Sequence, residues 1–238
     1  MSEENRPKPS ILFFTHYFPP EGNAPASRAY DMARRWVADG HKVTIVTCAP
    51  HAPAGKLYEG YRNRLTQRET IDGIDVVRVW TLIAANRGTA RRVLNYLSYM
   101  IAATLRALFL TRHDVVIATS PQFFCGWAGV LTSFLRRTPF ILEIRDIWPE
   151  SIAAVQAIHS RVILNTIAVL ERMMYRAADH IVTVGPGYQE KLEERNVDPH
   201  SISIVPNGAD FEVYQPREPD TEFMAKWHLT GKFVCSYV

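Results

Sequence analysis

Val115-Val-Ile-Ala-Thr-Ser-Pro-Gln-Phe-Phe-Cys-Gly-Trp-Ala-Gly-Val-Leu-Thr-Ser-Phe-Leu135 carries no charged side chain and is followed by Arg136 and Arg137. Its length alone would permit a membrane-spanning helix, which needs roughly 20 apolar residues. The internal pattern decides otherwise. Asp114-Val-Val-Ile-Ala-Thr119 is a β-branched run, and Thr119-Ser-Pro-Gln122 is a turn signal. The segment reads as strand, turn and helix, and the chain as an α/β protein.

The same alternation extends in both directions. Apolar β-branched runs predict strands at 11–15, 42–47, 74–79, 115–118, 140–144, 180–184 and 201–205. Helical periodicity fills the gaps at 26–39, 90–111, 123–136, 152–178 and 188–195. The strands are continuous apolar runs with no in–out alternation, as expected where both sheet faces are covered. The expected fold is a doubly wound, mostly parallel sheet. Ile71-Asp-Gly-Ile74 reads as a hairpin turn at one edge of it.

Composition fits such a domain. Of 238 residues, 47% are hydrophobic and 21% charged, which excludes global disorder. A net charge of +3 gives no case for nucleic acid. Cys48, Cys125 and Cys235 are far apart and lack C-x-x-C spacing, so neither a disulfide framework nor a zinc site is expected, and a reducing compartment is. The polar start, Met1-Ser-Glu-Glu-Asn-Arg6, is unlike a signal peptide. Residues 1–214 are expected to form one domain. Residues 215–238 read as a linker, a short helix and then Lys232-Phe-Val-Cys-Ser-Tyr-Val238, the first strand of a further domain.

In a doubly wound sheet the site lies beyond the carboxyl ends of the strands. The first loop there is His16-Tyr-Phe-Pro-Pro-Glu-Gly-Asn-Ala-Pro25, leading into a helix that carries Arg28. Gly22 would let backbone approach a ligand, and the helix N-terminus would offer N–H groups to an anion. Glu21, Gly22, Asn23 and Arg28 are therefore candidate substrate-binding residues. The second loop, Glu143-Ile-Arg-Asp-Ile-Trp-Pro-Glu-Ser151, is too polar to be only a connection, although Pro149 also suits a helix start. It supplies Arg145, Asp146 and Glu150. Val205-Pro-Asn-Gly-Ala-Asp210 is a turn that adds Asn207. No G-x-G-x-x-G follows a strand and no G-x-x-x-x-G-K-S/T occurs, which argues against a nucleotide-cofactor enzyme.

Taken together, Tyr17–Thr47, Asp114–Pro121, Leu142–Ser151, Ala177–Val184 and Ile204–Asp210 resemble, in order and spacing, the N-terminal half of family-4 glycosyltransferases. These have two Rossmann-like domains in the GT-B arrangement. The Arg145-Asp-Ile-Trp-Pro-Glu-Ser151 form looks most like the branch that builds bacterial polysaccharides on lipid-linked acceptors. Relatives commonly carry Gly-Gly in the first loop, where this chain has Gly22-Asn23. The resemblance implies retaining transfer from a nucleotide-sugar, which is a co-substrate, with no cofactor and no metal. The nucleotide would be held by a second domain. Asp146, with Arg145 beside it, best matches the catalytic position after the strand at 140–144, and the adjacent guanidinium is expected to keep it ionised. This chain alone is expected to be inactive. The alternative is a stand-alone sugar- or nucleotide-binding module without turnover, and a Glu-x7-Glu pair in coding sequence past Val238 would decide for the enzyme.

One further pattern points to the cytoplasmic face of a membrane. From Val76 to His113 there is no acidic residue, while Arg78, Arg87, Arg91, Arg92, Arg106 and Arg112 all occur. Leu94, Leu97, Ile101, Leu105 and Leu108 recur at helical spacing, a stripe expected to pack on the sheet. Tyr99, Met100 and Phe109 would then extend apolar surface outward. Peripheral binding to an anionic surface through Arg87, Arg91 and Arg92 is the expectation.

Overall fold

A computed structural model of the protein describes residues 7–83, 89–120, 122–148, 160–208, 215 and 217–235. In chain order the elements are β1 (Ile11–Phe14), α1 (Ala24–Ala38), β2 (Val43–Cys48), β3 (Thr66–Ile71), β4 (Ile74–Val79), α2 (Thr89–Leu108), β5 (Val115–Ser120), α3 (Phe123–Arg136), β6 (Phe140–Ile144), α4 (Arg161–Ala177), β7 (His180–Thr183), α5 (Pro186–Glu193), β8 (Ile202–Ile204) and α6 (Thr221–Lys226). The eight strands form one sheet in the order β3-β4-β2-β1-β5-β6-β7-β8. Every pairing is parallel except β3 with β4. That pair is the expected edge hairpin, with Asp72 and Gly73 both at positive φ (48° and 80°) as a tight two-residue turn requires.

The uncharged run that opened the question is divided between β5 and α3. α3 has 14 residues, a length of about 21 Å, too short to cross a bilayer. No helix among the described residues is long and apolar enough to cross a membrane.

The sheet runs leftward from β1 to β2 but rightward from β5 through β8. Right-handed crossovers therefore place α1 on one face and α2 to α5 on the other. Pleating divides each strand between two cores. Ile11, Phe13, Ile45, Ile74 and Val76 meet Ala29 and Ala33 of α1. Leu12, Phe14, Val46, Val77, Leu142 and Ile144 meet Tyr99, Ala107, Ala128 and Met174 from the other helices. Glycine lets α3 press on the sheet: a Cβ at Gly129 would lie 2.5 Å from Phe140 Cε2 and 2.7 Å from the Cβ of Ala118. Gly129→Ala should therefore destabilise by about 1–3 kcal/mol in urea titration, although alanine is the better helix former.

α2 corrects the sequence reading. Its leucine stripe is not the face it buries, although Leu97 and Leu108 are half-buried. Tyr99, Ala103, Thr104 and Ala107 are buried, while Leu94, Ile101 and Leu105 are exposed. Tyr99, expected outside, is fully buried, and its hydroxyl donates to Val46 O of β2 at 2.7 Å. With that polar tip satisfied, the ring is free to fill core. Arg78 is likewise no surface charge: it is buried and paired with Glu69.

Residues 1–206 and 207–238 form separate compact units. In the second, α6 is capped by Asp220, whose side chain accepts from Phe223 N. Residues 232–235, expected in a strand, pair with no neighbour as strand, and Phe233 is fully exposed. The expected helix from 152 is described only over Arg161–Ala177; 149–159, including Glu150, lie outside the described residues, as does Arg87.

Candidate functional site

The carboxyl edge of the sheet collects most of the polar groups buried in the first unit. The β2–β3 connection folds back over the end of β1 and is held there by Glu21. The backbone N–H groups of His51 and Ala52 donate to Glu21 Oε1 at 2.9 and 2.8 Å. Tyr58 adds a clasp, donating its hydroxyl to Ala52 O at 3.0 Å. Between this arch and the start of α1 lies a cleft of about 540 Å³, lined by Tyr17, Gly22, Asn23, Pro25, Ala52, Pro53 and Tyr58.

Several sequence candidates take on different duties here. Glu21 is buried and builds the cleft wall, its Oε1 taken up by two backbone donors. Asn23 lines the cleft but caps α1, accepting from Ala26 N at 2.9 Å. With Pro25 lacking an N–H, few donors remain at that helix end for an anion. Gly22 is exposed on the cleft, and a Cβ there would meet nothing within 4 Å, so the position leaves room for a ligand.

Beneath the cleft sits a layer that the sequence reading missed. His16, Cys48, His51, Asn95 and Tyr99 are buried together. His51 Nδ1 lies 2.8 Å from Ala49 O, a pure acceptor, so Nδ1 holds the proton and Nε2 accepts from Asn95 Nδ2 at 3.2 Å. Tyr17 and Tyr96 join hydroxyls at 3.2 Å. The His16 ring sits edge-on to Tyr17, Tyr96 and Tyr99 at 4.9–5.1 Å. Burial first, and the neighbouring His51 second, lower the His16 pKa to about 3. Burial likewise raises the Cys48 thiol and the Tyr17 phenol. Burial thus keeps His16, Cys48 and Tyr17 uncharged at neutral pH. The missed signal was positional: 49–58 follows a strand's carboxyl end, as the recognised loops do.

His16 has a measurable consequence. Its pKa is 6.5 when unfolded and about 3 when folded, so below 6.5 the unfolded chain takes up a proton that the folded one refuses. Stability should fall by about 1.4 kcal/mol per pH unit as pH drops through this window. Urea midpoints read from neutral to about pH 4 should show this slope, and His16→Gln should flatten it by one proton.

The second polar group follows β6. Arg28 reaches from α1 and donates from Nε and Nη2 to Glu143 Oε1 at 2.8 and 2.6 Å, in a pair with side-chain exposures of 14 and 5%. Arg28 is thus paired with Glu143. Arg145 and Asp146 follow, both half-buried. Burial is the larger influence on each. It raises the Asp146 pKa against the opposing pull of Arg145, and it lowers that of Arg145. In setting the direction of the Asp146 shift, desolvation outweighs the pull of Arg145. The turn is braced by Glu171 of α4, which accepts from Trp148 N at 2.8 Å and pairs with Arg195, itself donating to Trp148 O at 2.9 Å. Asn207 is exposed and belongs to the second unit. Arg91 and Arg92 are exposed on the first turns of α2.

Among the described residues, no group of three or more His, Cys, Asp or Glu is placed to hold a metal ion. A larger hollow of about 860 Å³ opens at the amino end, beside Phe134, Arg137 and Asp179. Its one carboxylate is occupied, accepting from Phe140 N at 2.8 Å.

A doubly wound, mostly parallel sheet whose polar groups gather at its carboxyl edge is a Rossmann-like architecture, as in one half of a GT-B fold. The chain belongs to the glycosyl transferase 4-like domain family, whose model matches residues 23–208. It is 21% identical over 210 residues to the protein described as colanic acid biosynthesis glycosyl transferase WcaI of Escherichia coli K12, covering 86% of this chain and 51% of that one. Among solved structures, sucrose-phosphate synthase of Thermosynechococcus elongatus superposes with a TM-score of 0.60 at 14% identity, over 93% of this chain and 53% of the synthase. Anabaena HepE in complex with UDP-glucose superposes with a TM-score of 0.53 at 15% identity, over 92% and 49%. The chain spans about half the length of these relatives.

Proposed function

We propose that this chain is the acceptor-side half of a glycosyltransferase that moves a sugar, with retention, from a nucleotide-sugar to a lipid-linked or polysaccharide acceptor at the cytoplasmic face of a membrane. The observation that carries the reading is the pairing of an open, tyrosine- and proline-lined cleft with a half-buried carboxylate at the same carboxyl edge, in a chain of this family. Aromatic and proline faces suit the apolar faces of sugar rings, and Gly22 leaves space at the mouth. The bound UDP-glucose of HepE supports a nucleotide-sugar donor, and the name of WcaI supports a bacterial polysaccharide as product.

In this reading Asp146 accepts a hydrogen bond from the acceptor hydroxyl or opposes positive charge developing at the sugar, and its raised pKa brings it closer to the operating range of a base. Glu143, Arg28 and Glu171 hold the turn, and the nucleotide is bound by a second domain. No nucleic acid takes part, and the chain needs no cofactor of its own. The test is transfer of labelled sugar from a panel of nucleotide-sugars to a lipid-linked acceptor extract, using the full gene product. Transfer that disappears in Asp146→Asn supports the reading. Tight sugar or nucleotide binding with no transfer would instead leave a binding module.

A further inference from the structure

The outer face of α2 carries large apolar side chains where a crossover helix ordinarily shows polar ones. Leu94, Ile101, Leu105 and Phe109 are 50, 51, 56 and 82% exposed. Their spacing of seven, four and four residues draws a single stripe along the helix. The opposite side, with Ala103 and Ala107, is the one on the sheet. At the far end Arg136 of α3 donates to Ala107 O and Leu110 O at 2.7 and 2.8 Å. α3 ends there in Phe134 and Leu135, which are also exposed.

The charge along the segment that carries the stripe has one sign. Arg91 and Arg92 are exposed at its start and Arg112 just past its end, with no acidic residue between Val76 and His113. Arg106 is half-exposed and donates to Thr66 Oγ1 at 3.1 Å.

We propose that α2 lies flat on an anionic bilayer, with the Leu94, Ile101, Leu105 and Phe109 stripe sunk into the headgroup boundary and Arg91, Arg92 and Arg112 against lipid phosphates. Charge complementarity selects this partner over a second copy of the chain. Two copies joined on this stripe would bring both sets of arginines together, with no carboxylate on the segment to offset them. The helix has 20 residues, about 30 Å, and an apolar face that is confined to one side, which suits an interfacial position. Next to Leu94, Asn95 bonds to His51 and Tyr96 to Tyr17 beside the cleft. A helix lying on the bilayer therefore brings the cleft to headgroup level, where a lipid-linked acceptor would be met. The purpose of docking, though not the docking itself, rests on the proposed function.

Flotation of the chain with phosphatidylglycerol/phosphatidylethanolamine vesicles and with neutral phosphatidylcholine vesicles, at low and high salt, tests this. Binding should require the anionic lipid and weaken with salt. Leu105→Ser/Phe109→Ser should lower the partition coefficient by about tenfold or more. Arg91→Ser/Arg92→Ser should lower it by about fivefold per arginine at low salt. Phe223→Ser, an exposed aromatic in the second unit, should change nothing. All these side chains are solvent-facing, so circular dichroism and melting temperature should stay unchanged. Absence of binding to every vesicle overturns the proposal, as does binding indifferent to the apolar pair. Self-association in sedimentation that the apolar pair abolishes, with no vesicle binding, assigns the face to a second copy and also overturns it. Vesicle binding requires no sugar transfer, so failure here leaves the transferase reading standing, and the converse holds.

Discussion

Asp146→Asn is expected to lower turnover of the full gene product by about two orders of magnitude, the usual scale for a positioned polar group that acts at the reacting centre. The substitution keeps the size of the side chain and its site on the turn after β6 and removes only the ionised oxygen. It therefore separates a catalytic role from a structural one. The pH profile gives a second readout. Burial raises the Asp146 pKa, and the carboxylate is the active form, so activity should be lost as pH falls, with the acid limb displaced upward from the ordinary aspartate value. The acid limb should vanish from the residual activity of Asp146→Asn. Wild-type turnover in the variant, or an unchanged acid limb, would leave Asp146 as part of the turn alone.

Arg28→Ala should be the most destabilising single change at the site, at about 3 kcal/mol in urea titration. It strands Glu143, whose side chain is 5% exposed and takes both guanidinium contacts on one oxygen. Arg145, the remaining cation acting on Glu143, compensates in part. The gain of the intact pair over an apolar pair is small, because desolvation offsets the attraction, but half a pair is costly. Arg28→Met/Glu143→Leu should accordingly recover most of the loss. If Arg28→Ala melts like wild type, the pair is idle and α1 is anchored by packing alone. The pair also ties the first turns of α1 to the strand that leads into the Asp146 turn, so reduced turnover at temperatures where Arg28→Ala is still folded would show that this tether positions the site.

All the strands except β3, which is polar, and the order of the helices were legible in the sequence because a doubly wound sheet buries both strand faces, and continuous apolar runs such as Ile11–Phe14 and Val115–Ser120 record that directly. Asp72-Gly73 announced the edge hairpin because few other residue pairs adopt positive φ twice in succession. The polar loop after β6 was legible for a similar local reason: so many charged groups at one strand end need a purpose. What α2 buries was not legible. Period alone gives the helix two candidate inner faces, a leucine stripe and a face of Tyr99, Ala103 and Ala107. The close approach of α3 and the sheet selected the smaller side chains, and the carbonyl of Val46 satisfied the tyrosine hydroxyl. The duties of Glu21 and Arg28 were also hidden. Their partners are the His51 and Ala52 amides and the Glu143 carboxylate, which lie about 30 to 115 residues away and are assembled only when the sheet brings its carboxyl ends together. The direction of the Asp146 shift followed the same rule. Sequence supplied the neighbouring Arg145, but the desolvation that outweighs it comes from the packed turn.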